Sequence, residues 1–299
     1  MAVRYFIETR NYGQAQIHLR ILQDLDYDLE SIDYLEILLA TSKIVDAKTE
    51  NTELQKGRAL PTGSNTLAPK YNLNEIKQLF TNDEISKSDL KKLSKLPRKE
   101  LTDDLNILLN DAIDRFSEHC RNEEYYFVIN ALLLCGEIRA EECNTNILNL
   151  LSQNDELLDF YLSDYLTEML WEVLFRTGQN KIEDLVSFLK NNGNYTFSKS
   201  EVAKTLGAMY LSDLSMRNEI KTAFKDVLAF YLGSGISDST FTGLFICTID
   251  DCGLFPYFRN EVEILFKNGK VDANTCGTLS ELKSNYNSMP QKSSFQFFS

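Results

Sequence analysis

The chain has 299 residues, of which 43% are hydrophobic, so it can bury a sizeable core and falls in the range of one large or two small globular domains. Its 31 Lys and Arg residues against 44 Asp and Glu residues give a net charge of -13, which repels nucleic acid at long range and argues against nucleic-acid binding by the whole molecule. No stretch approaches the roughly 18 consecutive apolar residues of a membrane-spanning helix, so we expect no membrane span.

The N-terminal stretch, "MAVRYFIETRNYG", lacks the basic region, apolar core and cleavage site of a secretory signal. Six cysteines in a chain of this length are too few for a disulfide scaffold. We therefore expect a cytoplasmic protein whose cysteines are reduced.

The first predicted elements are two helices, at about residues 3–22 and 30–48, which form an N-terminal helical hairpin within residues 1–50. Residues 51–72 are polar and contain two glycines and two prolines. Because loops longer than roughly 15 residues are uncommon inside a compact domain, this stretch predicts a linker. The hairpin is a candidate surface for forming a homo-oligomer.

Apolar residues recur at i, i+3, i+4 and i+7 through residues 73–285, which predicts an all-α domain. Helices are predicted at about residues 73–81, 84–95, 101–119, 123–137, 141–152, 156–176, 180–191, 198–211, 216–232, 238–252, 256–268 and 272–284.

The long helices begin at intervals of roughly 33 to 42 residues, within the range of helical-hairpin repeats. This spacing favours an α-solenoid of HEAT-like helical hairpins over residues 73–285, and an irregular helical bundle is the alternative. Residues 286–299 are predicted to be a flexible tail that ends in Phe295, Phe297 and Phe298.

Residues 87–100, "KSDLKKLSKLPRKE", are rich in lysine and arginine, although the chain as a whole is acidic. A charge run of this kind is typical of a solvated surface, although it could also meet an anionic partner or the acidic surface of another copy. The stretch carries no interleaved aromatic residues of the kind that stack on nucleic-acid bases.

The stretch "DYLTEMLWEVLF", residues 164–175, holds three carboxylates at steps of four and the only tryptophan of the chain. On one continuous helix at 100° per residue, these residues and two nearby aromatics lie opposite the apolar side. The face comprises Tyr161, Asp164, Glu168, Trp171, Glu172 and Phe175. Either its aromatics pack against a neighbouring repeat, or the face lines a groove that holds a basic or helical peptide.

Residues suited to catalysis or metal binding are scarce in this sequence. His18 and His119 are the only histidines, and no Glu-x-x-His segment of a helical di-metal site occurs. Cys247 and Cys252 lie about 140° apart on a helix, so they cannot readily share one ion. The common phosphate-binding, dinucleotide-binding, serine-hydrolase and zinc-protease signatures are also absent.

We therefore expect no cofactor, no catalytic residue and no metal ligand, and we favour a non-catalytic interaction module that binds a protein or peptide, including a basic one. The alternatives are an enzyme or metal-dependent hydrolase with an unrecognised carboxylate site, and a structural homo-oligomer.

Three segments, "EEYYFVINALLLCGEIRA", "DYLTEMLWEVLF" and "LFPYFRNEVEILFKNGKVDA", carry a resemblance to a known family. Over about residues 84–284 the chain resembles the bacterial domain of unknown function 1186 family, whose members are similar to HEAT-type helical repeats. The family pattern contains a Leu-Thr-Glu-Asp run, which here reads Leu166, Thr167 and Glu168 with Met169 in place of the acid. The resemblance implies a helical-repeat fold and no particular activity.

Overall fold

The computed structural model describes residues 67–81, 83–234 and 238–288, with the side chains of the last range described up to residue 284. Throughout these ranges the regular structure is helical and no strand occurs. The prediction of an all-α fold is confirmed. None of the helices in the described ranges is long and apolar enough to cross a membrane.

Fifteen α-helices are present in the described ranges. A 3-10 helix at Asn74–Leu79 precedes them, and a second one at Glu141–Cys143 lies between the fourth and fifth. The α-helices are α1 (Lys87–Leu93), α2 (Arg98–Asp114), α3 (Phe116–Asn122), α4 (Tyr126–Glu137), α5 (Asn144–Leu151), α6 (Asp155–Tyr161), α7 (Tyr165–Glu168), α8 (Leu170–Thr177), α9 (Ile182–Leu189), α10 (Thr196–Ser212), α11 (Arg217–Gly233), α12 (Ser239–Asp251), α13 (Arg259–Lys267), α14 (Ala273–Cys276) and α15 (Leu279–Ser288).

Three of the predicted helices are divided in the structure. The helix predicted at 101–119 becomes α2 and α3, and the one predicted at 272–284 becomes α14 and α15. The helix predicted at 156–176 is wrong, because the chain forms α6, α7 and α8 there. The backbone of Ser163 adopts a φ of 42°, which is left-handed and cannot continue a right-handed helix.

Several predictions concern residues outside the described ranges. The N-terminal hairpin at residues 1–50, the linker up to residue 66 and the three C-terminal phenylalanines are among them. Helix α15 continues to Ser288, and the rest of the tail predicted at residues 286–299 lies outside the described ranges.

The helices contact one another in two rows. In one row α4 packs against α8, α8 against α10, α10 against α12 and α12 against α14. In the other row α5 packs against α9, α9 against α11 and α11 against α13. One apolar core, to which nearly all of these helices contribute, runs between the rows.

Helix α10 is enclosed on several sides, and 12 of its 17 residues are buried. Five of these buried residues are polar or charged: Ser198, Lys199, Ser200, Glu201 and Thr205. Burying a polar group destabilises the fold unless the protein supplies a hydrogen-bond or ion-pair partner. The partners of these side chains therefore determine the position of α10.

Lys199 is fully buried and ties three helices together at the start of α10. Its ammonium forms an ion pair with Asp238, donates to the Tyr231 hydroxyl at 3.3 Å and lies 4.7 Å from the centre of the Phe241 ring. Asp238 also accepts from the backbone N–H of Phe241 at 3.1 Å and from the Thr196 hydroxyl at 3.2 Å. The first turn of α10 is thereby fixed to α11 and to the start of α12.

Candidate functional site

The six residues predicted to form one face do not lie on one helix. Tyr161 ends α6, Asp164 precedes α7, Glu168 ends α7, and the other three residues lie on α8. Because the backbone changes direction between these helices, the 100° projection does not describe their arrangement.

Two of the three aromatics of that predicted face lie in the interior. Tyr161 is 1% exposed, and its hydroxyl donates to the backbone carbonyl of Ala112 at 2.9 Å. Trp171 is 7% exposed, and its backbone carbonyl accepts from the Thr205 hydroxyl at 3.1 Å. Neither of these side chains lies on an exposed face.

The remaining members of the predicted face differ in their surroundings. Phe175 is partly buried against the core, and Glu172 forms an ion pair with Arg176 one turn later on α8. Asp164 and Glu168 are exposed. Asp164 also lines a groove on this structure.

This groove, which we call the acidic groove, has a volume of about 570 Å³ and lies between α6, the segment leading into α7, and the start of α10. It is lined by Asp155, Glu156, Leu158, Asp159, Ser163, Asp164, Leu166, Thr167, Tyr195 and Phe197.

Four carboxylates face the acidic groove, from Asp155, Glu156, Asp159 and Asp164, and all four residues are exposed. Within the part of the chain that the structure describes, none of the four forms an ion pair. Asp155 and Glu156 occupy the first turn of α6, where negative charge is favoured by the helix dipole. The groove therefore concentrates negative charge that a cationic ligand could neutralise.

Two aromatic rings form the opposite side of the acidic groove. Tyr195 and Phe197 flank the start of α10, and their ring centres are 5.5 Å apart in an edge-to-face arrangement. Phe197 is 42% exposed although it is a large apolar residue. Burial raises the pKa of Tyr195, and the negative charges of Asp155 and Asp159 raise it further, as expected for a phenol close to both carboxylates.

A second, smaller groove of about 360 Å³ lies beside the start of α4 and includes Glu123, Glu124 and Tyr125. The Tyr125 ring packs edge to face on Phe160 of α6, with 5.9 Å between the ring centres. Helix α6 thus contributes Phe160 beside this second groove and several carboxylates to the acidic groove.

The histidine on α3 belongs to a buried network rather than to either groove. His119 is 1% exposed; its Nδ1 lies 3.0 Å from Glu124 Oε2, and its Nε2 lies 3.2 Å from Asp111 Oδ2. Asp111 also accepts from Arg115 Nε at 2.6 Å. This network joins α2, α3 and the segment before α4, and it accounts for the burial of the histidine. Among the described residues, no group of three or more His, Cys, Asp or Glu side chains could hold a metal ion.

Tyr195 and Phe197 were not among the residues predicted from the sequence. They lie far along the chain from Asp164, and contacts of α7 and α8 with α10 bring the two segments together. One signal was available. Two aromatic residues flank the first residue of this helix and lie outside its periodic apolar face, so their position needed an explanation.

A family model described as "Protein of unknown function (DUF1186)" matches residues 69–292 of the chain. The matched range contains every residue of the acidic groove. No curated protein and no solved structure matches the chain.

Proposed function

The chain belongs to the protein of unknown function family DUF1186, and on the basis of its acidic groove we propose that it is a non-catalytic interaction module that binds a basic segment of a partner protein. The observation that carries the proposal is the juxtaposition of four carboxylates, which form no ion pair among the described residues, with the partly buried Tyr195 and the exposed Phe197.

The chemistry of the groove suits a lysine or arginine side chain better than a simple cation. Carboxylates attract the charged end, and an aromatic face such as that of Phe197 accepts a guanidinium or an ammonium in a cation–π contact. The apolar stem of the same side chain can lie along the ring. A nucleic-acid ligand is disfavoured, because the groove and the whole chain carry negative charge.

The finer architecture belongs to the same proposal. We propose an α-solenoid of HEAT-like hairpins, supported by the two rows of helices in which each pair contacts the pairs before and after it. The pairs are defined by chain order as α4 with α5, α8 with α9, α10 with α11, and α12 with α13, and the contact within a pair is extensive for α10 and α11. We also propose that the protein acts in the cytoplasm, where exposed carboxylates and reduced cysteines are compatible with its surroundings.

The test is a binding titration between the full chain and a synthetic peptide of 12 residues rich in arginine and leucine, followed by fluorescence anisotropy at low salt. The variant carries Asp155→Lys and Glu156→Lys, both in the first turn of α6. Its matched control carries Glu183→Lys and Asp184→Lys, which change the charge equally in the first turn of α9. A counterpart peptide with glutamate in place of arginine measures non-specific binding.

We expect the α6 variant to lose at least about tenfold in affinity for the arginine-rich peptide and the α9 variant to lose less than about threefold. Equal losses in the two variants would show that only net charge matters, and the acidic groove would then not be the binding site. Full affinity in both variants would also contradict the proposal.

A further inference from the structure

Helix α14 lies very close to α12. A Cβ atom added to Gly243 of α12 would lie 3.0 Å from Cβ of Thr275 and 3.1 Å from the backbone oxygen of Asp272. Only a glycine allows the two backbones this approach without displacing one of them. The four residues of α14 are therefore seated directly on α12.

The close approach brings two cysteines together. Cys247 lies one turn after Gly243 on α12, and its Sγ is 3.9 Å from the backbone oxygen of Thr275, the residue before Cys276. The Sγ of Cys276 is 3.9 Å from the backbone oxygen of Asp272, the atom that approaches Gly243, so both thiols lie in the contact between α12 and α14. Both residues are only partly buried.

The two thiols differ in their acidity. The neighbouring Cys276 thiol lowers the pKa of Cys247, whereas the Cys247 thiol raises the pKa of Cys276, which burial raises further. Since the thiolate is the nucleophile in exchange with disulfides, Cys247 is the thiol that reacts first.

We infer that Cys247 and Cys276 form a thiol–disulfide exchange site whose oxidant is a low-molecular-weight disulfide. The Cys247 thiolate attacks one sulfur of that disulfide, whose S–S bond breaks and releases one small thiolate. Cys276 then loses its proton and attacks the Cys247 sulfur of the mixed disulfide, which releases the second small thiolate. The protein is oxidised by two electrons, and the small disulfide is reduced to two thiols.

A second thiol pair provides an internal control. Cys135 on α4 and Cys143 before α5 are also neighbours, but both are fully buried. An oxidant in solution cannot reach this pair while the chain is folded, and the neighbouring Cys143 thiol together with burial raises the pKa of Cys135. The two pairs therefore separate the effect of proximity from the effect of access.

The test is incubation of the folded, reduced full chain with oxidised glutathione, followed by alkylation of free thiols, proteolysis and mass spectrometry. We expect two of the six thiols to be lost and one disulfide-linked peptide pair, containing Cys247 and Cys276, that a reductant converts back. The variant Cys276→Ser should stop at a glutathione adduct on Cys247. The variant Cys247→Ser should react at least about tenfold more slowly at Cys276.

The control variant Cys135→Ser should form the same disulfide at the same rate as the parent chain. A disulfide that maps to any other pair would overturn the inference, and so would retention of all six thiols under conditions that oxidise a free model dithiol. Circular dichroism of each variant confirms that the fold is intact before the thiols are counted.

Discussion

Glu201 on α10 should make the protein less stable as the pH rises. The residue is 0% exposed, and burial raises its pKa from the ordinary 4.5 to about 7, although the ion pair with Lys204 acts in the opposite direction. One carboxyl oxygen accepts from Lys204 Nζ at 2.6 Å, while the other has no hydrogen-bond partner among the described residues. The change Glu201→Gln removes the titration and keeps the shape of the side chain.

The magnitude follows from the two pKa values. Because the folded chain binds this proton more tightly than the unfolded chain, the free energy of unfolding falls as the pH rises from 4.5 to about 7 and is level above that. At 1.36 kcal/mol per pH unit, this interval corresponds to a loss of about 3 kcal/mol. For a domain of this size the loss equals roughly 6 to 12 °C in Tm.

The assay is urea denaturation of the parent chain and of Glu201→Gln at several pH values between 4.5 and 8. The difference between the two free energies of unfolding should change by about 3 kcal/mol over that range, in favour of Glu201→Gln at high pH. The variant Lys204→Met removes the cation that lowers the pKa of Glu201. The free energy of unfolding of this variant should therefore continue to fall up to a higher pH than that of the parent chain. If the curves of the parent chain and of Glu201→Gln stay parallel, the buried carboxyl does not titrate as argued.

Three further changes test other contacts by thermal or chemical denaturation. Lys199→Met should lower the free energy of unfolding by about 3 kcal/mol, because it leaves the Asp238 carboxylate without its buried cation. Adding Asp238→Asn to this variant should recover part of the loss, and no recovery would contradict the pairing. Gly243→Ala should lower the free energy of unfolding by about 1 to 3 kcal/mol, because the new methyl group meets Thr275. An unchanged free energy of unfolding would mean that α14 is not held tightly against α12. Trp171→Ala should cost about 3 to 5 kcal/mol through the cavity that it leaves, so a small loss would show that the indole is not buried.

The sequence predicts those helices well whose apolar period is regular and whose ends are marked. The helices predicted at 216–232 and 238–252 are observed at Arg217–Gly233 and Ser239–Asp251. The second of them is followed by Gly253 with a φ of 67°, a conformation that glycine adopts without strain.

The division of the predicted helix at 156–176 had no such marker. No glycine or proline lies near Ser163, and a serine adopts a left-handed φ only when surrounding contacts compensate for the strain. Those contacts come from distant parts of the chain, which periodicity does not report. The acidic groove was therefore predictable at Asp164 but not at Tyr195 and Phe197, whose proximity depends on tertiary packing.

Helices α6, α7 and α8 contain seven, four and eight residues, and helices shorter than about 12 residues are marginal in water on their own. Their backbone hydrogen bonds persist because distant contacts hold them, such as the one from the Tyr161 hydroxyl to Ala112. Amide hydrogens in these helices should thus exchange with deuterated water as one cooperative unit. A peptide that joins α6 to the start of α10 would slow this exchange throughout all three helices, including at amides that it does not touch.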